Sequence, residues 1–419
     1  MTYEFTTLGA LIGLVIAIIL IIKKVHPAYS LIIGALLGGI IGGGDLATTV
    51  DTMISGAQGM MSSILRILTS GILAGALIKT GSAEKIADTI VSKLGKQRAV
   101  AAISIATMII CSVGVFVDIS VITVAPIAIA IGQKANLSKS GILLAMIGGG
   151  KAGNIISPNP NTIAASEAFH VNLTSLMVKN IIPALCALIV TVILAGILSH
   201  KNESENFAGL VSGEKKELPG FIPAICGPLT VIILLALRPL CGISIDPLIA
   251  LPVGGLVSII VTGKSKEIIS ITEFGLSKVV GVSILLIGTG TLAGIIKTSA
   301  LQYDMIHLLD FLNMPTFVLA PLSGILMAAA TASTTSGATI ASQTFADTLV
   351  GAGVPALSAA AMIHAGSTVL DSLPHGSFFH ATGGSVSMEI KDRMKLIPFE
   401  AIVGITSTTI SVILYLIIG

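Results

Sequence analysis

The sequence predicts an all-α polytopic membrane protein made of two inverted-topology repeats. Three observations lead there. Only 11% of the 419 residues are charged and the mean hydropathy is +0.99, whereas a soluble chain carries roughly 25% charged residues. Apolar stretches near the ~20 residues that cross ~30 Å of hydrocarbon recur along the chain. Short motifs also recur at a nearly constant offset between the two halves. The charge deficit excludes a soluble enzyme, a disordered chain and a nucleic-acid partner, and implies a lipid bilayer as surroundings. The formal net charge of +2 says little about partners.

In chain order, full spans are expected at 7–22, 29–43, 64–80, 140–165, 176–199, 220–238, 245–262, 279–298, 355–388 and 396–418. The first run follows Glu4 and precedes Lys23 and Lys24, the reverse of a signal peptide, so it reads as a span. Gly, Pro and polar residues break the spans at 140–165 and 355–388. The stretches 99–133 and 315–350 are too long for one helix and polar at mid-length, which favours re-entrant hairpins. With hairpins, the loops 23–26, 79–98, 134–139, 200–217, 264–278 and 389–395 share a side and hold eighteen of the 23 Lys and Arg. That side is then cytoplasmic and both termini lie outside. Two crossings per stretch would leave the loops on the same sides. The four cysteines, Cys111, Cys186, Cys226 and Cys241, show no metal or disulfide pattern.

Leu73-Ala74-Gly75 recurs as Leu292-Ala293-Gly294, Lys79-Thr80 as Lys297-Thr298, Ala145-Met146-Ile147 as Ala361-Met362-Ile363, and Pro158 as Pro374. The offsets are 219, 218, 216 and 216. Each half then holds five full spans and one hairpin, and an odd number of spans inverts the second copy. The first repeat is 1–199, with its hairpin at about 99–133 and its broken helix at about 140–165. A Lys/Glu-mixed cytoplasmic linker follows at 200–218. The second repeat is 219–419, with its hairpin at about 315–350 and its broken helix at about 355–388.

In lipid an unpaired backbone group costs several kcal/mol, so breaks in apolar segments point to the working site. Four occur, paired by the repeat. The hairpin middles are Cys111 to Ser120, including Ser112, and Thr331 to Gly337, including Ser333, Thr334, Thr335 and Ser336. The broken helices are Gly148 to Thr162, with Asn154, Ser157, Asn159, Asn161 and Thr162, and Gly366 to Ser377, with Ser372 and His375. The half-helix N-termini after these breaks carry free N–H donors and partial positive charge, which suits an anion.

Few ionisable groups lie at membrane depth, where charge is costly and usually functional. Asp118 sits among Val, Ile and Phe on a hairpin. A carboxyl there is costly to ionise, which suits a proton carrier; a helix N-cap is the plainer role. Asp371 is the second candidate for proton or ion coupling, with a solvated cavity residue as the alternative. Lys151 has a substrate carboxylate, Asp118 or Asp371 as possible partners, or a purely structural ion pair. His364 and His375 suit a proton relay or a neutral hydrogen-bonded state. Asp371, His375 and His380 do not share a helical face and no HExxH occurs, so no metal and no cofactor is implied.

At Phe116-Val117-Asp118 with Pro126 downstream, at Asn154 to Thr162 followed by Ile163-Ala164, and at Ala365 to Val369 followed by Asp371, the sequence resembles the gluconate:proton symporter (GntP) family of the ion transporter superfamily. The resemblance covers roughly 8–418. It looks closest to the hydroxybutyrate-permease-like branch, through Ser157-Pro158-Asn159-Pro160-Asn161 and Asp371-Ser372-Leu373-Pro374-His375. Gluconate permeases would have a Glu where this chain has Asp118, and a Pro- and His-rich break in place of 157–161. The resemblance implies scaffold and transport domains, an elevator-like movement and a homodimer.

The expected function is secondary active import of a small hydroxylated monocarboxylate, of gluconate, glycerate or 3-hydroxybutyrate type, by proton symport across the bacterial inner membrane. The carboxylate meets hairpin-tip N–H groups and the hydroxyls of Ser333 to Ser336, while Asn159, Asn161 and Thr162 bond substrate hydroxyls. A sodium-coupled or exchange transporter of a small organic anion is the main alternative. A channel or a membrane-embedded enzyme is disfavoured by the mid-membrane breaks and by the lack of a nucleophile–base constellation.

Overall fold

The computed structural model describes residues 4–95, 98–199, 217–241, 243, 245–301, 303–304, 307, 311, 315–374 and 376–419. The helices in chain order begin with α1 (Thr7–Ile22), α2 (Pro27–Ile41), α3 (Leu46–Gln58), α4 (Met61–Lys79), α5 (Ser82–Leu94), α6 (Ala99–Ser112) and α7 (Val117–Ala135). They continue with α8 (Lys139–Asn154), α9 (Pro160–Ala168), α10 (Leu173–Lys179), α11 (Ile181–Ser199), α12 (Phe221–Cys241), α13 (Pro247–Val261) and α14 (Ile268–Lys297). The last are α15 (Leu319–Thr331), α16 (Thr334–Gly351), α17 (Ala356–Gly366), α18 (Ser377–Ser385), α19 (Ile390–Met394) and α20 (Ile397–Ile418).

Local chemistry starts these helices where they start. Thr6, Asp45 and Asp246 accept from first-turn N–H groups of α1, α3 and α13. Pro27, Pro160 and Pro247 occupy first-turn positions where no donor is needed. Along α11, Ile181, Leu185, Ile189, Ile193 and Ile197 repeat every four residues and are exposed, the stripe of a lipid-facing helix. Among the described residues, five helices are long and apolar enough to cross a membrane, and seven shorter apolar helices accompany them. The chain is a multi-pass helical membrane protein.

Packing divides the helices into two sets. In the first, α1 packs on α2, and α14 and α13 pack on α4, with α3 and α12 alongside. In the second, α8 packs on α6, α7 and α11, α15 on α16 and α17, and α20 on α11 and α17. α5 touches both sets, which meet directly along α14–α16, α4–α9 and α1–α15.

Lipid tails supply no hydrophobic drive between helices, so close backbone approach does the work. Gly71 and Gly75 on α4 face Gly275 on α14, where an added Cβ would sit 2.1 Å from the Gly71 carbonyl oxygen. Gly275→Val is therefore expected to force these helices apart and destabilise the protein by about 1–3 kcal/mol. A thermal melt in detergent reads this as a lower midpoint; an unchanged midpoint contradicts the packing.

Each expected span contains a helix. The two long stretches are helix pairs, α6–α7 and α15–α16, turning at Gly114 (φ +106) and Ala332 (φ +46). The expected breaks separate α8 from α9 and α17 from α18. Three features differ from expectation. α3 and α5 are helices that no apolar run announced. α14 starts at Ile268, not at 279, because Glu273 and Lys278 are helical residues and not part of a loop. Arg393, counted among the loop charges, is buried against Glu400.

Candidate functional site

A cavity of about 430 Å³ lies where the two helix sets meet. Four helix N-termini face it: α7 through residues 116–119, α9 through Asn159 and Asn161, α16 through residues 333–336, and α18 through Ser377 and Phe378. Each helix start concentrates unbonded N–H groups and partial positive charge. Asn159 and Ser333 cap α9 and α16, whereas α7 and α18 have no side-chain cap. The uncapped pair keeps donors for a ligand, less the Ile119 N–H of α7, which the Asp118 side chain takes.

The break after α8 builds an amide cluster on the cavity wall. Asn154 Oδ1 accepts from Asn159 Nδ2 at 2.6 Å and from Asn161 Nδ2 at 3.0 Å. Asn159 Oδ1 accepts from the N–H groups of Asn161 and Thr162. The oxygen of Asn154 is engaged, and its Nδ2 is buried without a partner among the described residues. A buried donor left this way is costly unless a ligand takes it.

Among the described residues, Asp118 is the only carboxylate in the lining. It is half-buried, and its Oδ1 accepts from the Ile119 N–H at 2.9 Å. Lys278 and His26 are the other ionisable groups in the lining among the described residues. His26 Nδ1 accepts from the Ala28 N–H at 3.3 Å and caps α2.

Of the residues expected from sequence, Asp118, Asn154, Asn159, Asn161, Ser333, Thr334, Thr335 and Ser336 line this cavity. Ser112, Ser157, Thr162, Gly337, Ser372, Lys151, His364 and Asp371 do not. Ser112 donates to the Ile109 carbonyl at 2.9 Å. Thr162 donates to the Ser157 carbonyl at 2.6 Å and holds the break together. Gly337 is a packing residue: a Cβ there would sit 2.6 Å from Ala328 Cα on the other arm. His364 is fully buried, with neither ring nitrogen partnered among the described residues. His375 lies outside the described residues. His380 is exposed, with Nε2 2.8 Å from the Pro374 carbonyl.

Lys151 and Asp371 meet behind the cavity, at 2.7 Å, and both are buried. Lys151 also donates to the Thr368 carbonyl at 2.7 Å. Thr334 and Ser372 donate to the Asp371 carboxylate at 2.6 and 3.0 Å. Asp371 thus ties the start of α16 to α8. A second buried pair joins Arg393 to Glu400, with Arg393 Nη2 also donating to Thr382 at 3.3 Å.

Sequence reasoning missed Lys278 and His26. Lys278, Gly281, Val282 and Leu285 line the cavity from α14 at helical spacing. Continuing the helical period back from residue 279 was the signal that exposed this face.

Two further polar cavities, of about 740 and 390 Å³, share Glu167 and His170. Ion pairs cross between the helix sets there. Arg66 on α4 meets Glu167 on α9 at 2.8 Å and Asp246 at 2.7 Å, and Lys297 on α14 meets Asp347 on α16 at 3.0 Å.

A lipid-facing helical fold around a polar, donor-lined cavity is that of a multi-pass membrane permease. The chain matches the GntP family permease model over residues 5–418 and belongs to that family. It is a transporter and not an enzyme. It is 54% identical over 410 residues to an uncharacterized transporter of Haemophilus influenzae, covering 98% of each chain. It is 22% identical over 352 residues to the D-serine transporter DsdX of Escherichia coli, covering 78% of this chain and 79% of that one. Its fold is similar, with a TM-score of 0.68 at 15% identity, to the crystal structure of the Alcanivorax borkumensis YdaH transporter, over 97% of this chain and 98% of that one.

Proposed function

We propose that this permease imports a small hydroxylated monocarboxylate together with protons across the bacterial inner membrane. One observation carries the reading: four helix N-termini and Asn154, whose Nδ2 is unpartnered, meet at a cavity in which Asp118 is the one carboxylate among the described residues. The substrate carboxylate takes the free N–H groups of α7 and α18 and the hydroxyls of Ser333 to Ser336. Asn154, Asn159 and Asn161 bond the substrate hydroxyls, and Asp118 carries the proton. D-serine, named for one relative, is itself a small hydroxylated carboxylate.

The halves 1–199 and 219–419 form inverted repeats joined by the linker 200–218, with α6–α7 and α15–α16 as re-entrant hairpins. The recurring motifs support this. The second helix set is the moving transport domain and the first the scaffold, in an elevator-like cycle. The division of packing supports that reading, and the family resemblance supports a homodimer. The basic loops face the cytoplasm and both termini lie outside.

Counterflow in proteoliposomes tests the function, with gluconate, glycerate, 3-hydroxybutyrate, lactate and citrate under proton and sodium gradients. Uptake of a monocarboxylate that follows the proton gradient is expected. Uptake that needs sodium and ignores the proton gradient overturns the coupling; uptake of none overturns the substrate class. Asn154→Ala is expected to raise the half-saturating concentration about two- to tenfold, the loss of one hydrogen bond to a neutral hydroxyl. Unchanged affinity removes Asn154 from the site.

A further inference from the structure

Lys278 reaches the cavity from a different part of the molecule than most of its polar lining. Asp118, Asn154, Asn159, Asn161 and the hydroxyls of residues 333–336 all belong to the second helix set. Lys278 stands on α14, which packs with α2, α3 and α4 in the first set. It is exposed at the rim, and its ammonium lies 4.8 Å from the centre of the Phe274 ring. No carboxylate is within ion-pair distance of it among the described residues. The other ionisable group from the first set is His26, also exposed, whose Nδ1 is occupied at the start of α2.

The far end of the same interface is clamped. Lys297, which pairs with Asp347, is nineteen residues further along α14, about 28 Å from Lys278 at the helical rise. Asp347 is thirteen residues from Thr334 on α16, about 20 Å from the cavity. The two sets are therefore bridged by charge at one end and separated by the cavity at the other. Lys278 marks the separated end, in one cavity lining with His26, which follows the basic residues Lys23 and Lys24.

We propose that Lys278 is a one-sided specificity residue: it takes the substrate carboxylate only while the cavity faces the basic side. This rests on the elevator reading above. When the second set moves along the interface, it carries the hydroxyls and amides with it, and α14 leaves Lys278 behind. An ammonium on the stationary set binds in one state and releases in the other. Substrate affinity from the basic face then depends on Lys278, and affinity from the opposite face does not.

The test compares the wild type, Lys278→Gln and Lys278→Arg in right-side-out and inside-out membrane vesicles. The probes are radiolabelled gluconate, glycerate and 3-hydroxybutyrate. In Lys278→Gln the half-saturating concentration is expected to rise about five- to tenfold from the basic face and to change less than about twofold from the other. Lys278→Arg restores the affinity because it restores the charge. An equal rise from both faces places Lys278 in the moving site and overturns the proposal, as does no rise from the basic face. Wild-type protein that carries none of the three acids overturns the proposed function instead, and this inference with it.

Discussion

Asp118→Asn is expected to abolish accumulation driven by a pH gradient while leaving counterflow of the same substrate in place. Asp118 is the only carboxylate in the cavity among the described residues, so no described neighbour there substitutes for it. The amide keeps the shape and still accepts from the Ile119 N–H, as the carboxylate does at 2.9 Å. The start of α7 should therefore hold. The amide cannot bind and release a proton near neutral pH. One pH unit is worth about 1.4 kcal/mol per proton, a tenfold accumulation ratio. That ratio should fall from about ten to about one per proton coupled at this site. Normal pH-driven accumulation in the variant would remove Asp118 from coupling.

Lys151→Met is expected to be the most destabilising single change at the site. It strands the Asp371 carboxylate, which is 1% exposed and loses its 2.7 Å ammonium partner. Removing one member of a buried pair costs about 3–5 kcal/mol. The hydroxyls of Thr334 and Ser372 remain on Asp371 and place the cost toward the lower figure. A melt in detergent, with the yield of monodisperse protein, measures it. Asp371→Asn separates the two roles that sequence allows this residue. It retains a side chain for Thr334 and Ser372, so it should lower stability and keep pH-driven accumulation. A stable Asp371→Asn protein without proton coupling would make Asp371 the proton carrier.

The breaks were legible because each needs particular residues. Pro158, Pro160 and Pro374 remove backbone donors, and the glycines beside them relax the chain. Asn159, read as a ligand for substrate hydroxyls, lines the cavity and also caps α9. Hidden were the elements with mixed composition. α3 carries Thr48, Thr49, Asp51 and Thr52, and α5 carries Glu84, Lys85 and Asp88. Neither resembles a span, because polar and charged residues interrupt its apolar run. Lys278 was hidden for a related reason. A charge near the end of an apolar run reads as a loop, whereas α14 runs 30 residues and carries that charge to the cavity rim.

Residue chemistry alone determined that this chain lives in a bilayer, where its helices run and where they break. Water-free surroundings penalise every charge and every unpaired amide, so these features must be written into the local sequence. Which polar groups face the ligand was decided only by tertiary packing. Asp118 and Asp371 read alike in sequence, each an acid beside a break. Packing turns Asp118 into the cavity and Asp371 onto Lys151, because a buried carboxylate is tolerated where a cation from another helix meets it. That partner lies 220 residues away in the chain, and only the fold brings it within 2.7 Å.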